Sequence, residues 1–158
     1  MSKDKHLREQ LQFRLNSDDA HANFEAATKD LPAELRGKRP KGAEHSPWEI
    51  VEHLRIAQWD ILEYTRDPKH VSPDFPSGYW PKSPEPPSDA AWKKSLDAFH
   101  KDLAEMSNLI GDESKDVLAP IPHTDGKTLL RQALLLADHN AYHLGQLVLV
   151  RRLLGAWK

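Results

Sequence analysis

The sequence predicts an all-α protein built as a four-helix bundle. Four segments carry apolar residues at intervals of three and four, which is the spacing of one helix face. Glycine and proline cluster between these segments, where loops are expected. No segment alternates apolar and polar residues in the manner of a half-buried strand, and no internal repeat is found. We expect residues 1–158 to form a single domain, since a chain of this size can bury one hydrophobic core.

The first helix is predicted over about residues 4–16, where Leu7, Leu11 and Leu15 form one apolar stripe. A short extra helix is predicted over residues 23–31. Pro32 and the basic segment that follows it, which contains glycine and proline, then form a loop.

The second long helix has a clear start signal at residues 46–49. Ser46 is a capping residue, Pro47 suits the first helical position, and Glu49 completes a capping box. We expect this helix to run to residue 66, just before Asp67-Pro68.

A long proline-rich loop is predicted between the second and third long helices. Residues 68–87 include seven prolines, and proline neither continues a helix nor joins a central strand. Loops of this length are usually functional or mobile. The aromatic pair Tyr79-Trp80 indicates that this loop packs onto the bundle.

The third long helix is predicted over residues 90–110, after the capping pair Ser88-Asp89, and the fourth over residues 128–154. The fourth helix is apolar nearly all round, which is typical of a helix buried on more than one side. Two explanations stay open: the helix is central in the bundle, or its second face meets a second subunit in a homodimer.

Charge and composition exclude several classes of partner. The formal net charge is -2, so nothing indicates nucleic acid, and charged residues interrupt the apolar segment near the C-terminus, which makes a membrane span improbable. The chain has no cysteine, which rules out disulfides, cysteine zinc ligands and a cysteine nucleophile. The charged N-terminal segment has no apolar signal core, and we expect a cytoplasmic protein.

The fourth helix contains the chemical signal of the sequence. His139 and His143 lie four residues apart in an otherwise apolar helix, so both project from one face with Cβ atoms about 5–6 Å apart. Two imidazole nitrogens at this spacing can reach one metal ion. A buried polar atom without a partner costs roughly 1–3 kcal/mol, and a metal ion would satisfy both histidines at once.

His53, in the middle of the second long helix, is the best candidate for a third ligand. A three-histidine site leaves coordination positions open, as catalytic metal sites do, and helical bundles hold such sites between facing helices. The alternative is that His139 and His143 form a hydrogen-bonded buried pair without metal, and that His53 is a partly exposed helix residue.

Two segments resemble the DinB-like superfamily of damage-inducible, YfiT-like metalloenzymes: AEHSPWEIVEHLRIAQWDILEYTR over residues 43–66, and TLLRQALLLADHNAYHLGQLVLVRRLLGAW over residues 128–157. The family motif is one histidine on the second helix and HxxxH on the fourth, and His53, His139 and His143 occupy those places. The resemblance implies a bundle with up-up-down-down connections, often a homodimer, and a divalent metal ion such as zinc, nickel or iron.

Three further residues are candidates for the surroundings of the site. Gln146 shares the face of the two histidines and could hydrogen-bond water or substrate, or simply be a polar residue at the mouth of the bundle. Tyr142 could donate a phenolic hydrogen bond or belong to the core. His21, at the break after the first helix, could transfer protons at the pocket mouth, although a loop position without a role is the better interpretation.

These residues support two functional hypotheses. The first is a metal-dependent enzyme acting on a small molecule, either a hydrolase or a transferase that uses an external low-molecular-weight thiol, as some members of the family do. The second is a non-catalytic, metal-binding stress or interaction protein, because no acid or base is clearly placed beside the histidines. Imidazole ligands suit zinc, nickel and iron alike, so the sequence leaves the metal open.

Overall fold

The structure, a computed structural model, describes residues 4–17 and 19–157. It contains five α-helices and no strand in this part of the chain. The helices are α1 (Lys5–Asn16), α2 (Phe24–Thr28), α3 (Pro47–Arg66), α4 (Asp89–Gly111) and α5 (Leu129–Leu153). Short 3-10 turns occur at Ala33–Leu35 and Ser77–Tyr79. The prediction of an all-α fold is confirmed.

The helix ends follow the local signals of the sequence. Ser46 and Glu49 form the expected capping box at the start of α3, with Pro47 in the first turn. Ser88 and Thr128 cap α4 and α5 by accepting a hydrogen bond from a main-chain N–H three residues later. The short helix α2 ends earlier than predicted, since Asp30 takes a left-handed conformation with φ of 53°.

The four long helices run up-down-down-up, which corrects the expected up-up-down-down arrangement. Hydrogen bonds between α3 and α4 join residues whose numbers rise together, so these helices are parallel: Glu52 with Ser95, Gln58 with Phe99, and Arg66 with Glu105. Bonds between α3 and α5 join residues in opposite order, so these are antiparallel: His53 with His143, Gln58 with Asn140, and Thr65 with Gln132. Bonds between α1 and α4 also run in opposite order: Arg8 with Ile110, and Gln12 with Ser107.

The connection between α3 and α4 explains this difference. Parallel neighbours need a chain that returns along a whole helix, and a helix of 20 residues is about 30 Å long. Residues 67–88, which we call the crossover segment, make this return beside α3. His70 and Tyr79 bond to Asp60, and Pro84 accepts a hydrogen bond from Ser46 at the start of α3. Helix periodicity defines which face is buried but not which way the helix runs.

The core consists of two apolar clusters with a polar layer between them. One cluster gathers α2, the start of α3, the first half of α4 and the end of α5; its aromatic members are Phe24, Trp48, Trp92 and Phe99. The other gathers α1, the end of α3, the end of α4 and the start of α5; its members include Leu11, Ile61, Leu62, Met106, Ile110, Leu129 and Leu136. Between them, the buried polar side chains His53, Gln58, Asn140 and His143 face one another across α3 and α5.

The second face of α5 is not buried within the chain. Leu134 and Leu149 are 53% and 55% exposed, so α5 is not enclosed on all sides as its sequence suggested. Of the two explanations that the sequence offers, only a second subunit would cover this face, and the homodimer stays a prediction. Within the described residues, every helix is too short or too polar to cross a lipid bilayer.

Candidate metal centre

The structure brings His53, His139 and His143 together in the polar layer. Nε2 of His53 lies 3.0 Å from Nε2 of His143 and 3.1 Å from Nε2 of His139. Across the three residues, one nitrogen from each lies within 4.8 Å of the others. Two nitrogens that bind one zinc ion in tetrahedral geometry lie roughly 3.3 Å apart, so the cluster could hold a metal ion with little movement.

Helix geometry and antiparallel packing create this convergence. His139 and His143 share a face of α5 because four residues make slightly more than one turn. His53 lies on the face of α3 that packs against them, with 8% of its side-chain surface exposed. The site is therefore built from the rigid centres of two helices rather than from loops.

The crossover segment completes the surroundings of His53. The main-chain oxygen of Tyr79 accepts a hydrogen bond from Nδ1 of His53 at 2.8 Å. The indole of Trp80 stacks on the His53 imidazole, with ring centres 3.9 Å apart and planes 2° from parallel. The imidazole of His45 stacks on the other indole face at 3.9 Å. The predicted packing of Tyr79 and Trp80 thus takes place directly over the candidate site.

A buried carboxylate anchors this part of the crossover segment. The hydroxyl of Tyr79 donates to Asp60 at 2.7 Å, and Nε2 of His70 lies 2.7 Å from the other oxygen of Asp60. Burial first, and then the neighbouring Asp60 carboxylate, raise the pKa of Tyr79 to about 12, so this hydroxyl stays a donor. Asp60 acts through Tyr79 and is not among the grouped metal-binding side chains.

Gln146 lies where the sequence predicted, and the structure gives it a partner. Its Oε1 lies 2.7 Å from Nδ1 of His143, which donates this hydrogen bond. The interaction orients the imidazole so that Nε2 points toward His53. Tyr142 and His21, the other two residues predicted near the site, lie outside the cluster.

Tyr142 is 65% exposed, so it is not a core residue. Its ring meets the edge of the His143 imidazole with centres 4.9 Å apart. His21 is exposed and bonded to the main-chain oxygen of Ala22, and it lines a separate cavity of about 160 Å³ that the three histidines do not line. The expectation that His21 is a loop residue fits this position better than a role at the site.

Burial keeps the cluster neutral. Desolvation lowers the pKa of His53 to about 4, although its hydrogen bond to Tyr79 opposes the shift. Desolvation likewise lowers the pKa of His139 to about 4, with the neighbouring histidines adding to the shift and the Asn140 side chain opposing it. The pKa of His143 is also lowered, again mainly by burial. Neutral imidazole is the form that binds metal ions.

Glu49, the α3 carboxylate on the same side of the helix as His53, is engaged elsewhere. Glu49, one turn before His53, closes the capping box and forms an ion pair with Arg39. Burial alone would raise the pKa of Glu49, but the hydrogen bonds from Arg39 and Ser46 lower it. The capping role that the sequence favoured for Glu49 is therefore confirmed.

Some groups that surround the three histidines could not be predicted from the residue types in the sequence. The Tyr79 oxygen is a main-chain atom, so no residue type signals it. His45 and His70 had no expected role, and both gain one only through the path of the crossover segment. Asn140 lies between the two predicted histidines, where its helical position gave no indication that it reaches Gln58 on α3.

Comparison with known proteins places the chain in a family. A sequence model described as the DinB superfamily matches residues 17–147, which is most of the 158 residues. The match includes all three histidines. No curated protein and no solved structure matches the chain.

Proposed function

The chain belongs to the DinB superfamily, and on that premise we propose that it is a metal-dependent enzyme that joins a small external thiol to an electrophilic substrate. Nε2 of His53, His139 and His143 would hold one divalent ion, with zinc, nickel and iron as candidates. Three observations support this proposal: the tautomers of the histidines, the number of ligands, and the interactions that engage Glu49 and Asp60 of α3.

The facing nitrogens of His53 and His143 carry the proposal. Nδ1 of His53 donates its proton to a main-chain oxygen, and Nδ1 of His143 donates to an amide oxygen. A neutral imidazole has only one N–H, so each Nε2 presents a lone pair. The two Nε2 atoms are 3.0 Å apart, so their lone pairs repel each other, and neither nitrogen can donate a hydrogen bond to the other. A cation between them turns this unfavourable contact into two favourable ones.

The number of ligands favours chemistry over a structural role. Structural zinc sites in proteins usually have four protein ligands, whereas catalytic sites have three and an open position. The group of metal-binding side chains in the described residues has three members, all histidine. Neutral ligands leave the charge of the ion uncompensated. When bound, such an ion supplies Lewis-acid chemistry, lowering the pKa of a thiol or water molecule at the open position.

The carboxylates near the site favour a thiol over water as the nucleophile. Glu49 is paired with Arg39, and Asp60 is bonded to Tyr79 and His70. The cluster therefore has no unengaged carboxylate of α3 beside it to act as a general base. A thiol needs less help than water, because its ordinary pKa is about 8–9. In the proposed transfer, sulfur bonds to the electrophilic carbon, the leaving group departs, and the thiol proton passes to solvent.

Metal content tests the first half of the proposal. Elemental analysis of protein purified without a histidine tag should find about one divalent ion per chain, and His139→Ala should lose it. His6→Ala is the matched control, since the His6 side chain is 93% exposed and lies outside the cluster. Protein that stays metal-free after incubation with zinc, nickel and iron would refute the proposal.

Substrate screening tests the second half. We expect consumption of a small thiol with an electrophile to require both the ion and His139. If the protein instead hydrolyses a substrate in the absence of thiol, the nucleophile is water and not a thiol. One ion per chain without either activity would instead support the non-catalytic, metal-binding role.

A further inference from the structure

Two neighbouring buried atoms on α5 lack hydrogen-bond partners among the described residues. They are Nδ1 of His139 and Oδ1 of Asn140. Both side chains face α3: Nε2 of His139 lies 3.1 Å from Nε2 of His53, and Nδ2 of Asn140 lies 3.1 Å from Oε1 of Gln58, yet the two unpartnered atoms are outside hydrogen-bonding geometry. One atom can donate and the other can accept, so each is the partner that the other lacks.

The orientation of the Asn140 amide follows from a chain of hydrogen bonds. The main-chain oxygen of Phe99 can only accept, so Gln58 must turn its NH₂ group toward it, at 2.6 Å. Gln58 then presents Oε1 to Asn140, which must donate with Nδ2, at 3.1 Å. Oδ1 of Asn140 is left as an acceptor beside His139.

The other two histidines of the cluster show what His139 needs. His53 and His143 each donate Nδ1–H to a neutral oxygen, at 2.8 and 2.7 Å, and so direct the lone pair of Nε2 into the cluster. His139 presents Nε2 to the same point, 3.1 Å from Nε2 of His53. To ligate through that atom, His139 must carry its proton on Nδ1, which is the buried atom without a partner.

We propose that Asn140 is the positioning residue of His139, accepting Nδ1–H with Oδ1 when a metal ion is bound, and that all three ligands are thereby oriented by neutral oxygens. This inference rests on the proposed metal site. It also characterises the ion, because a carboxylate in any of these places would make its imidazole a stronger donor and weaken the Lewis acidity of the metal. The Asn140 side chain links the site through Gln58 to α4.

Zinc affinity of three variants tests the proposal, measured by competition with a chelator. Asn140→Leu keeps the shape and removes the acceptor, so we expect zinc binding about 10–100-fold weaker. Asn140→Asp keeps an acceptor toward His139 but cannot donate to Gln58, so it should lose stability and still bind zinc at least as tightly as the wild type. Gln132→Leu is the matched control: Gln132 is a buried amide of α5 that bonds to Thr65 on α3, away from the histidines. It should lose stability with unchanged zinc affinity.

The outcomes separate this inference from the proposed function. If the wild type binds none of zinc, nickel and iron, both fail; if it binds one of these ions and Asn140→Leu binds that ion equally well, only the role of Asn140 fails. Nuclear magnetic resonance of the zinc-bound wild type requires no variant. It should show the Nδ1 proton of His139 protected from exchange, as for His53 and His143. Rapid exchange of that proton alone would overturn the proposal, even where Asn140→Leu does not fold.

Discussion

Arg8 and the histidine cluster are both buried polar regions of the bundle, and they are built in opposite ways. The guanidinium of Arg8, with the residue 4% exposed, has its donors fully used by Asp4 and by main-chain oxygens of Ile110, Asp112 and Lys115. The cluster instead has two acceptor nitrogens facing each other and a buried imidazole nitrogen that finds no partner within residues 4–17 and 19–157.

The difference indicates what each region does. A buried charge with complete partners ties helix ends together and needs nothing further. A buried group with incomplete partners reduces stability unless something binds there. The polar layer between the two apolar clusters therefore has the character of a binding site, whereas Arg8 is part of the framework. Four predictions test this contrast, from the largest expected effect to the smallest.

The largest effect should be the response of stability to zinc. At a free zinc concentration 1,000 times the dissociation constant, binding should raise the free energy of unfolding of the wild type by about 4 kcal/mol. His139→Leu should show no such increase, and its metal-free form should be as stable as the wild type because an unpartnered atom is removed. Urea unfolding with and without zinc measures both. Equal stabilisation of the variant by zinc would show that the ion binds elsewhere; His6→Leu is the control.

Arg8→Met should show the opposite pair of effects to His139→Leu: lower stability with zinc binding retained. Removing the cation takes a charged donor away from Asp4 and from the main-chain oxygens of Ile110, Asp112 and Lys115, so we expect a loss of about 3 kcal/mol in the free energy of unfolding. Zinc stoichiometry should not change. Arg14→Met on the same helix is the control, because its ion pair with Asp19 is exposed and should contribute little to stability. Loss of zinc binding in Arg8→Met would mean that the two regions are not independent.

The histidine cluster should make the metal-free protein less stable as the pH is lowered. Folded His53 and His139 have pKa values of about 4, below their ordinary 6.5, so the unfolded chain binds protons that the folded chain does not. The free energy of unfolding is therefore highest above pH 6.5 and falls as the pH is lowered toward 4. At pH 5 the loss is about 2 kcal/mol per histidine. Unfolding with a chelator present should give a shallower pH dependence for His139→Leu. Identical pH profiles would contradict the neutral, buried state of His139.

The sequence predicts most reliably what depends on neighbouring residues. The capping box at Ser46 and the shared face of His139 and His143 are local consequences of helix geometry, and both are confirmed. The position of His53 in the middle of its helix made it the best candidate for a third ligand, and the family resemblance supported that prediction. The up-up-down-down direction that the resemblance implied differs from the structure, and residue periodicity contains no information about helix direction.

The surroundings of the site were the least predictable part. Tyr142 lies on the same helix as His139 and His143 but points to solvent. It is one residue before His143, and one residue along a helix turns the side chain by about 100°. The acceptor for His53 is a main-chain oxygen that depends on the path of the crossover segment. Long-range contacts of this kind have no counterpart in residue spacing.

The smallest effect should come from the anchor of the crossover segment. Tyr79→Phe removes the hydroxyl that binds Asp60 but keeps the main-chain oxygen that orients His53. We expect a loss of about 1 kcal/mol in stability and less than a tenfold loss in zinc affinity. Tyr142→Phe, beside His143 but exposed, should change neither quantity. If zinc affinity falls in Tyr79→Phe while the stability loss stays small, the crossover segment positions the ligand His53; if only stability falls, it covers the site without ordering it.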